Sequence, residues 1–291
     1  MNEIVAKRRI AKDVYRISVK APHIAARRKA GQFVIVVAHE GGERIPLTIL
    51  SSDAEKGTID LVFLVVGGST LELSRLEEGQ SIPHVAGPLG KPTDIEAVGT
   101  VVVVGGGVGT AAACPIAAAS AEAGNNVISI IGARSSDLVI LEEEFKGFSE
   151  RLIVCTDDGS YGRRGFVTEA LAELIESGQQ IDEVVAVGPL VMMSAVAETT
   201  RPHRIKTVVS LNPIMVDGTG MCGGCRVSVG GKTYFACVDG PEFDGHQVDF
   251  GELASRLGAY ADFEKTSLER IREVHACLLD DALKDKPSQP S

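Results

Sequence analysis

Four residues whose side chains bind metal fall in one glycine-rich stretch: Asp217, Cys222, Cys225 and Cys237. The run reads Asp217-Gly218-Thr219-Gly220-Met221-Cys222-Gly223-Gly224-Cys225, and Cys237 follows after eleven intervening residues. This is the C-x4-C-x2-C…C spacing that holds a [2Fe-2S] cluster, with Asp in place of the first Cys. Glycines between the ligands let backbone N–H groups turn toward the cluster sulfides and stabilise their negative charge. A carboxylate keeps the ligand charge but is a harder donor than a thiolate, so the potential should differ from that of an all-Cys cluster. The same donors also suit a structural Zn held by three thiolates and a carboxylate, and the residues alone leave both open. Cys114, Cys155 and Cys277 are scattered among apolar neighbours and read as small core residues.

A second constellation is Gly105-Gly106-Gly107-Val108-Gly109-Thr110, placed after the apolar run Thr100–Val104 and before a helical pattern over Thr110–Ala123. Glycines at a strand-to-helix turn allow a pyrophosphate to approach the helix N–H groups, whose dipole favours an anion. No Lys follows, so the loop is not one for a nucleoside triphosphate. A third is Arg44-Ile45-Pro46-Leu47-Thr48 with Phe63-Leu64-Val65-Val66-Gly67-Gly68-Ser69-Thr70 downstream. An Arg pairs with a diphosphate, a hydroxyl meets a flavin edge, and the Gly-Gly-Ser-Thr turn offers amides to phosphate. On its own this third set reads first as an ordinary strand with a surface Arg. The six histidines show no H-E-x-x-H or similar ligand spacing.

The elements that must position these groups fall into distinct kinds. From Glu3 to about Leu89 short alternating runs, such as Tyr15–Val19, Gln32–Val37 and Ile59–Leu64, are separated by turn signals, which predicts an antiparallel barrel or sandwich. From Thr100 the apolar runs are continuous: Val101–Val104, Val127–Ile131, Leu152–Cys155, Glu183–Val187 and Thr207–Leu211. Strands of that kind belong to a parallel sheet covered on both faces. Helices are predicted between them at Thr110–Ala123, Leu138–Phe148, Val167–Ser177 and Leu190–Thr200, giving a doubly wound α/β unit. Asp157-Asp158-Gly159-Ser160-Tyr161-Gly162 follows the third of these strands, at the end where such folds bind ligands. Two further strands, Cys225–Val229 and Lys232–Cys237, joined at Gly230-Gly231, form a hairpin that holds the cysteines. Apolar residues then recur at helical spacing (Leu253, Leu257, Leu268, Ile271, Val274, Leu278), and Asp262–Lys284 reads as an amphipathic extension before a polar tail.

With 291 residues the chain is long enough for two domains and an appendage. Hydrophobic residues make up 44% and charged ones 23%, which excludes general disorder. Its net charge of −10 repels phosphate backbones and anionic lipid, so nucleic acid is not an expected partner. The uncharged stretch Ala97–Ala121 contains Gly105-Gly106-Gly107 and Pro115, and reads as strand, loop and helix rather than a membrane span. The N-terminus lacks the apolar core of a secretory signal, and the expected location is the cytoplasm.

Together these motifs resemble the ferredoxin reductase superfamily over roughly residues 1–250. Within it they resemble the small FAD, NAD and [2Fe-2S] subunits: the electron-transfer subunit of dihydroorotate dehydrogenase and the subunits of sulfide dehydrogenase and electron-bifurcating ferredoxin:NADP oxidoreductase. Arg44 stands one position early relative to the dihydroorotate pattern R-P-[IL]-S, and Asp217 replaces its first Cys. Both departures are similar to the bifurcating and sulfide dehydrogenase branch.

The resemblance implies an FAD-binding β-barrel (1–97), an NAD(P)-binding α/β domain (98–212), a [2Fe-2S] module (213–250) and a helical extension with a polar tail (251–291). It implies hydride transfer from NAD(H) or NADP(H) to flavin N5, then single electrons to the cluster and to a larger flavin and iron–sulfur oxidoreductase subunit in a heterodimer. Ferredoxin is a further partner on that reading. Thr48 is assigned to N5, Arg44 to the FAD diphosphate, and Ser69 and Thr70 to its phosphates, with Pro46, Leu47, Phe63, Leu64 and Gly68 around the flavin. Gly105, Gly107, Gly109 and Thr110 are assigned to the dinucleotide pyrophosphate, with Arg134, Asp157, Asp158, Gly188 and Met192 beside it. Asp217, Cys222, Cys225 and Cys237 are the metal ligands. Two alternatives stand beside this: the dihydroorotate dehydrogenase electron-transfer subunit, and a Zn-stabilised dinucleotide-binding redox sensor.

Overall fold

The computed structural model describes residues 2–260, 263–266 and 269. Its first seven strands are β1 (Asn2–Ala11), β2 (Val14–Lys20), β3 (Phe33–Val37), β4 (Ile45–Asp53), β5 (Thr58–Leu64), β6 (Ser81–Ile82) and β7 (His84–Leu89). They form one antiparallel sheet in the order β6-β1-β2-β5-β4-β3-β7. The strands β6 and β7 end that order on opposite sides yet are separated in the chain by Pro83 alone, so the sheet curls into a nearly closed barrel. Alternate residues fill its interior, among them Ile17 and Val19 of β2, Val34 and Val36 of β3, Leu47 and Ile49 of β4, and Ile59, Leu61 and Phe63 of β5. Two short helices, α1 (Pro22–Ala25) and α2 (Gly68–Leu73), flank it.

Six parallel strands follow: β8 (Thr100–Gly106), β9 (Asn126–Ala133), β10 (Arg151–Thr156), β11 (Arg163–Arg164), β12 (Glu183–Val187) and β13 (Lys206–Ser210). Next, β14 (Arg226–Val229) and β15 (Lys232–Phe235) pair as a hairpin, and β16 (Glu242–Asp244) returns antiparallel to β13. The sheet order is β11-β10-β9-β8-β12-β13-β16. Helices α3 (Thr110–Glu122), α4 (Glu142–Lys146), α5 (Val167–Glu176) and α6 (Leu190–Thr200) lie between these strands, and α7 (Ala236–Asp239) and α8 (Phe250–Gly258) follow the hairpin. The valine run of β8 sorts by alternation. Val101 and Val103 pack with Ala113, Ile116 and Ala117 of α3. Val102 and Val104 pack on the other face with Leu171 and Leu174 of α5 and Met193 and Val196 of α6. A strand buried on both faces has to be apolar throughout, which is why this run carries no polar alternation.

The expected α/β unit and barrel are present, with local differences. The helix expected over Leu138–Phe148 is reduced to α4, because Val139 is extended and Leu141 takes φ +59° just before the helix, a path that buries Ile140 and Leu141. Cys237 lies in α7 rather than at the end of a strand, since Ala236 donates its N–H to the Cys225 carbonyl and turns the chain. The edge strands β11 and β16 are two and three residues long and carry no periodicity that a sequence could show. The membrane question over Ala97–Ala121 resolves into β8, a glycine turn and α3, and no helix among the described residues is long and apolar enough to cross a membrane. Most of Asp262–Lys284, including Leu268, Ile271, Val274, Cys277 and Leu278, lies outside the described residues.

Candidate functional site

The chain runs outward from β8 to β9 and β10, then returns to add β12 and β13 on the other side. Neighbouring connections at β8 and β12 therefore leave in opposite directions, and a crevice opens at their carboxyl ends. Glycines make that crevice. A Cβ on Gly109 would lie 2.6 Å from the Gly188 Cα and 2.7 Å from the Val187 carbonyl oxygen, so the two turns touch backbone to backbone. A Cβ on Gly105 would meet Thr110 at 3.0 Å, and Met192 closes over Gly106 and Gly188. Gly107 differs: its φ is +55° and nothing stands within 4 Å of where a Cβ would be. The turn Gly107–Gly109 runs directly into the thirteen-residue α3. The first N–H groups of that continuous helical run have no helical acceptor and face open space at Gly107. The cradle fits a dinucleotide pyrophosphate.

Beside it, at the carboxyl ends of β9 and β10, two exposed loops are knitted together. Asp157 and Asp158 donate their N–H groups to the Ala133 and Arg134 carbonyls, and Ser136 donates its N–H to the Ser160 hydroxyl at 2.8 Å. The Ser160 hydroxyl and N–H both reach Asp158 and hold its carboxyl below the ordinary range. Arg134 and Asp157 are exposed on the same rim.

On the barrel, Leu47 and Ile49 point inward, so Pro46, Thr48 and Leu50 point out. Leu50 and Val62 join Ala111 and Cys114 of α3 in one apolar cluster, which docks this face of the barrel on the glycine-loop helix. Leu64 packs against the same cluster. Beyond the Ile49–Leu61 pair, β4 and β5 part: residues 45–48 pair only with β3, and Val62, Phe63 and Leu64 only with β2. The split leaves backbone edges facing each other without a ladder between them. Phe63 turns its ring inward and stacks on Tyr15 at 5.9 Å, so its side chain belongs to the core and only its backbone borders the split. Arg44 is exposed immediately before β4. The turn into α2 is braced by Thr70, whose hydroxyl accepts the N–H groups of Val66 and Gly67 at 3.1 Å. Ser69 is buried and donates its hydroxyl to Glu43 at 2.8 Å, a partner that sequence reading did not suggest. The outward hydroxyl of Thr48, the strand split and the Gly68–Thr70 turn fit a flavin nucleotide.

The third part is the cysteine loop. Gly218, Gly220 and Gly223 have positive φ, the region where a side chain is strained. Asp217 accepts the N–H groups of Thr219 and Cys222, each at 2.9 Å, and these bonds, that of Thr219 foremost, hold its carboxyl below the ordinary value. The Cys222 sulfur accepts the Gly224 N–H and the Cys225 sulfur the Cys237 N–H, both at 3.4 Å. The hairpin register, Arg226 opposite Phe235, brings Cys225 beside Cys237. Cys225 and Cys237 are buried and Cys222 is exposed. Burial pushes the Cys237 thiol up to about 12, with Cys225 adding to it, and the charge of a bound metal would favour release of its proton. Among the described residues no three acidic, His or Cys side chains are drawn into a closed coordination shell. Backbone N–H bonds tie Cys222 to Asp217 and Cys237 to Cys225, and N–H groups already aimed at sulfur fit an iron–sulfur group better than a bare cation.

The loop also rests on the barrel. A Cβ on Gly218 would meet Leu89 at 2.7 Å and Ile35 at 2.8 Å. Phe33 and Ile35 of β3 share an apolar cluster with Met215, Cys225, Val227 and Cys237. Phe33 pairs with Thr48 and Ile35 with Pro46. Pro46 and Thr48 therefore lie on one outer face between the cysteine loop, over Ile35, and α3, over Leu50. Sequence reading missed β3 as that common wall. A signal was present: Phe33-Val34-Ile35-Val36-Val37 is apolar throughout, and a barrel strand of that kind needs cover on its outer face.

Comparison with known proteins agrees with this geometry. Residues 212–249 match the iron–sulfur cluster binding domain of dihydroorotate dehydrogenase B. The electron transfer subunit homolog of dihydroorotate dehydrogenase B (NAD(+)) from Thermotoga maritima is 50% identical over 271 residues, covering 93% of this chain and 95% of that one. The electron transfer subunit from Geobacillus thermodenitrificans is 32% identical over 84% of this chain and 96% of its own. A solved structure of NADH-dependent reduced ferredoxin-NADP oxidoreductase, described for flavin-based electron bifurcation, superposes with a TM-score of 0.88 at 49% identity, covering 93% of this chain and 97% of that chain. The chain thus belongs to the family of dihydroorotate dehydrogenase B electron-transfer subunits and their homologues.

Proposed function

We propose that the chain is an electron-transfer subunit that takes reducing equivalents from a nicotinamide dinucleotide, carries them through FAD and a [2Fe-2S] cluster, and delivers them to a larger oxidoreductase subunit. The observation that carries this reading is the outer face of β3 and β4, where Thr48 lies between the docked glycine-loop helix and the docked cysteine loop. When bound, the flavin supplies the exchange between a hydride pair and single electrons. The residues do the positioning. Gly105, Gly107, Gly109 and Thr110 would receive the pyrophosphate at the start of α3, with Arg134, Asp157 and Asp158 at the ribose end and Gly188 and Met192 closing the crevice. Thr48 would direct its hydroxyl at the flavin edge, and Arg44, Ser69 and Thr70 would bind its diphosphate, with Glu43 giving up the Ser69 hydroxyl. Cys222, Cys225 and Cys237 would bind the cluster as thiolates and Asp217 would complete the set, releasing the loop N–H groups it now accepts. We read the chain as 1–97 for the flavin, 98–212 for the dinucleotide and 213–250 for the cluster.

Asp217 in place of the first Cys, with Arg44 one position early, favours a ferredoxin-NADP oxidoreductase type of partner over a dihydroorotate-oxidising one. Anaerobic purification with iron, zinc and flavin analysis and low-temperature EPR after reduction tests the reading. Flavin bands, two irons per chain and a reduced [2Fe-2S] signal are expected. A colourless protein with one zinc that resists reconstitution would overturn it in favour of the Zn-stabilised sensor.

A further inference from the structure

The segment that follows the cysteine loop meets the barrel a second time, at a place remote from the crevice and the split. Lys91, in the connection leaving β7, donates its N–H to the Gly240 carbonyl at 2.7 Å. Two residues on, Thr93 donates its N–H to the Ala30 carbonyl at 3.0 Å and its hydroxyl to Glu242 Oε1 at 2.6 Å. The barrel side is cut to fit: Gly31, at φ +79°, passes so close that a Cβ there would lie 2.6 Å from Glu242 Oε1 and 3.1 Å from the Thr93 nitrogen. Pro241 packs in the same way over Gly90, which itself packs on Phe33. Phe33 is the residue paired with Thr48. Glu242 is thus the one side chain of β16 that grips the linker, and β16 starts five residues after Cys237.

We propose that Glu242, through Thr93, is the positioning residue that sets the spacing between the flavin strand of the barrel and the cysteine loop. The inference rests on the function proposed above.

The setting makes the grip depend on proton occupancy. Glu242 borders a cavity of about 590 Å³. Sharing it are Lys91, Asp94 and Glu96 from the linker, Glu183 from β12, Lys206 from β13, Arg201 and Arg204 from the turn before β13, and Asp239, Asp244 and His246 from the segments flanking Glu242. Lys206 is occupied by Glu183 at 2.9 Å and Arg201 by Glu198 at 2.8 Å. On the barrel side, Gly31 approaches Glu242 and the Ala30 carbonyl accepts the Thr93 N–H, and neither residue is charged. Burial foremost, with Glu183 and Asp94 adding repulsion, pushes the Glu242 carboxyl up from 4.5 to about 7 against the opposing Thr93 bond. A raised carboxyl favours the closed joint when protonated, and that contribution is lost as pH rises from about 4.5 through about 7. If the open joint returns Glu242 to its ordinary value, opening should rise about tenfold between pH 6 and pH 8.

Amide hydrogen exchange at Lys91 and Thr93 reads this directly and needs no bound cofactor. After correction for intrinsic exchange, wild-type protection is expected to fall about tenfold from pH 6 to pH 8. The same amides in Glu242→Gln, which keeps an acceptor for Thr93 but cannot ionise, should show no such change. In protein carrying both groups, freeze-quench EPR should show flavin-to-cluster transfer slowing through the same pH window in wild type and not in Glu242→Gln. Protection that is flat with pH in wild type, or equally pH-dependent in Glu242→Gln, overturns the proposal. If the protein holds neither flavin nor iron, the function fails while exchange still decides on the joint. If it holds both and exchange is flat, only the joint fails.

Discussion

The glycine crevice and the cysteine loop both hold backbone N–H groups ready for a charged ligand, but by opposite means. In the crevice the geometry is imposed from a distance: Gly109 is fixed by contact with Gly188, seventy-nine residues later in the chain, and the turns owe their places to β8 and β12. In the cysteine loop it is imposed within nine residues, by positive φ at Gly218, Gly220 and Gly223 and by Asp217 accepting the N–H groups of Thr219 and Cys222. A site built by tertiary contact should fail together with the fold, whereas one built locally should fail alone.

The largest test of that contrast is Cys225→Ala. Removing the buried thiol beside Cys237 should take iron content close to zero while flavin content and the barrel's denaturation midpoint stay near wild type; loss of flavin as well would show that the loop is not an independent unit. Gly109→Ala comes next. Its Cβ presses on backbone that has nowhere to go, so stability should fall by about 1–3 kcal/mol, as for other overpacked sites. NADH affinity should fall with it, by tenfold or more if about 1.4 kcal/mol of that strain is felt at the ligand. Undiminished stability in a denaturant titration would break the tertiary account. Thr48→Val should be milder, slowing reduction of flavin by NADH about fivefold in stopped-flow, the effect of about one hydrogen bond. The smallest change is expected for Asp217→Ala: before any metal is added, exchange at the Thr219 and Cys222 amides should quicken with the melting temperature unmoved. A lower melting temperature would mean that this loop too is held globally.

The same contrast explains how much was legible in the sequence. The cysteine loop could be read because its information is local: the ligand spacing and the glycines sit in one run. The valine runs and the Gly105–Thr110 turn likewise announced a covered parallel sheet with an anion cradle. What escaped was whatever two distant segments make jointly. The Ser69–Glu43 bond, the docking of Gly218 on Ile35 and the Thr93–Glu242 bond each join residues that nothing in the sequence brings together. The shortened helix at Glu142–Lys146 failed differently. Four consecutive apolar residues, Leu138–Leu141, mimic a helix start, but the fold buries Ile140 and Leu141 through an extended Val139 and a left-handed Leu141.

The ends of the two large sheets have a consequence for how this chain associates with others. The barrel terminates in β6, two residues long, and in β7, which Pro83 alone joins to it; the parallel sheet terminates in β11, which is Arg163-Arg164, and in β16, which carries Glu242 and Asp244. The short, charged rims of the parallel sheet offer almost no template on which a foreign strand could extend the ladder. The outer side of β14 is taken by Gln247 and Asp249. Assembly by strand exchange is thereby discouraged at both rims of the parallel sheet. A companion protein has to recognise side chains, and a concentrated solution of the subunit gains protection against fibrous stacking from the same rims.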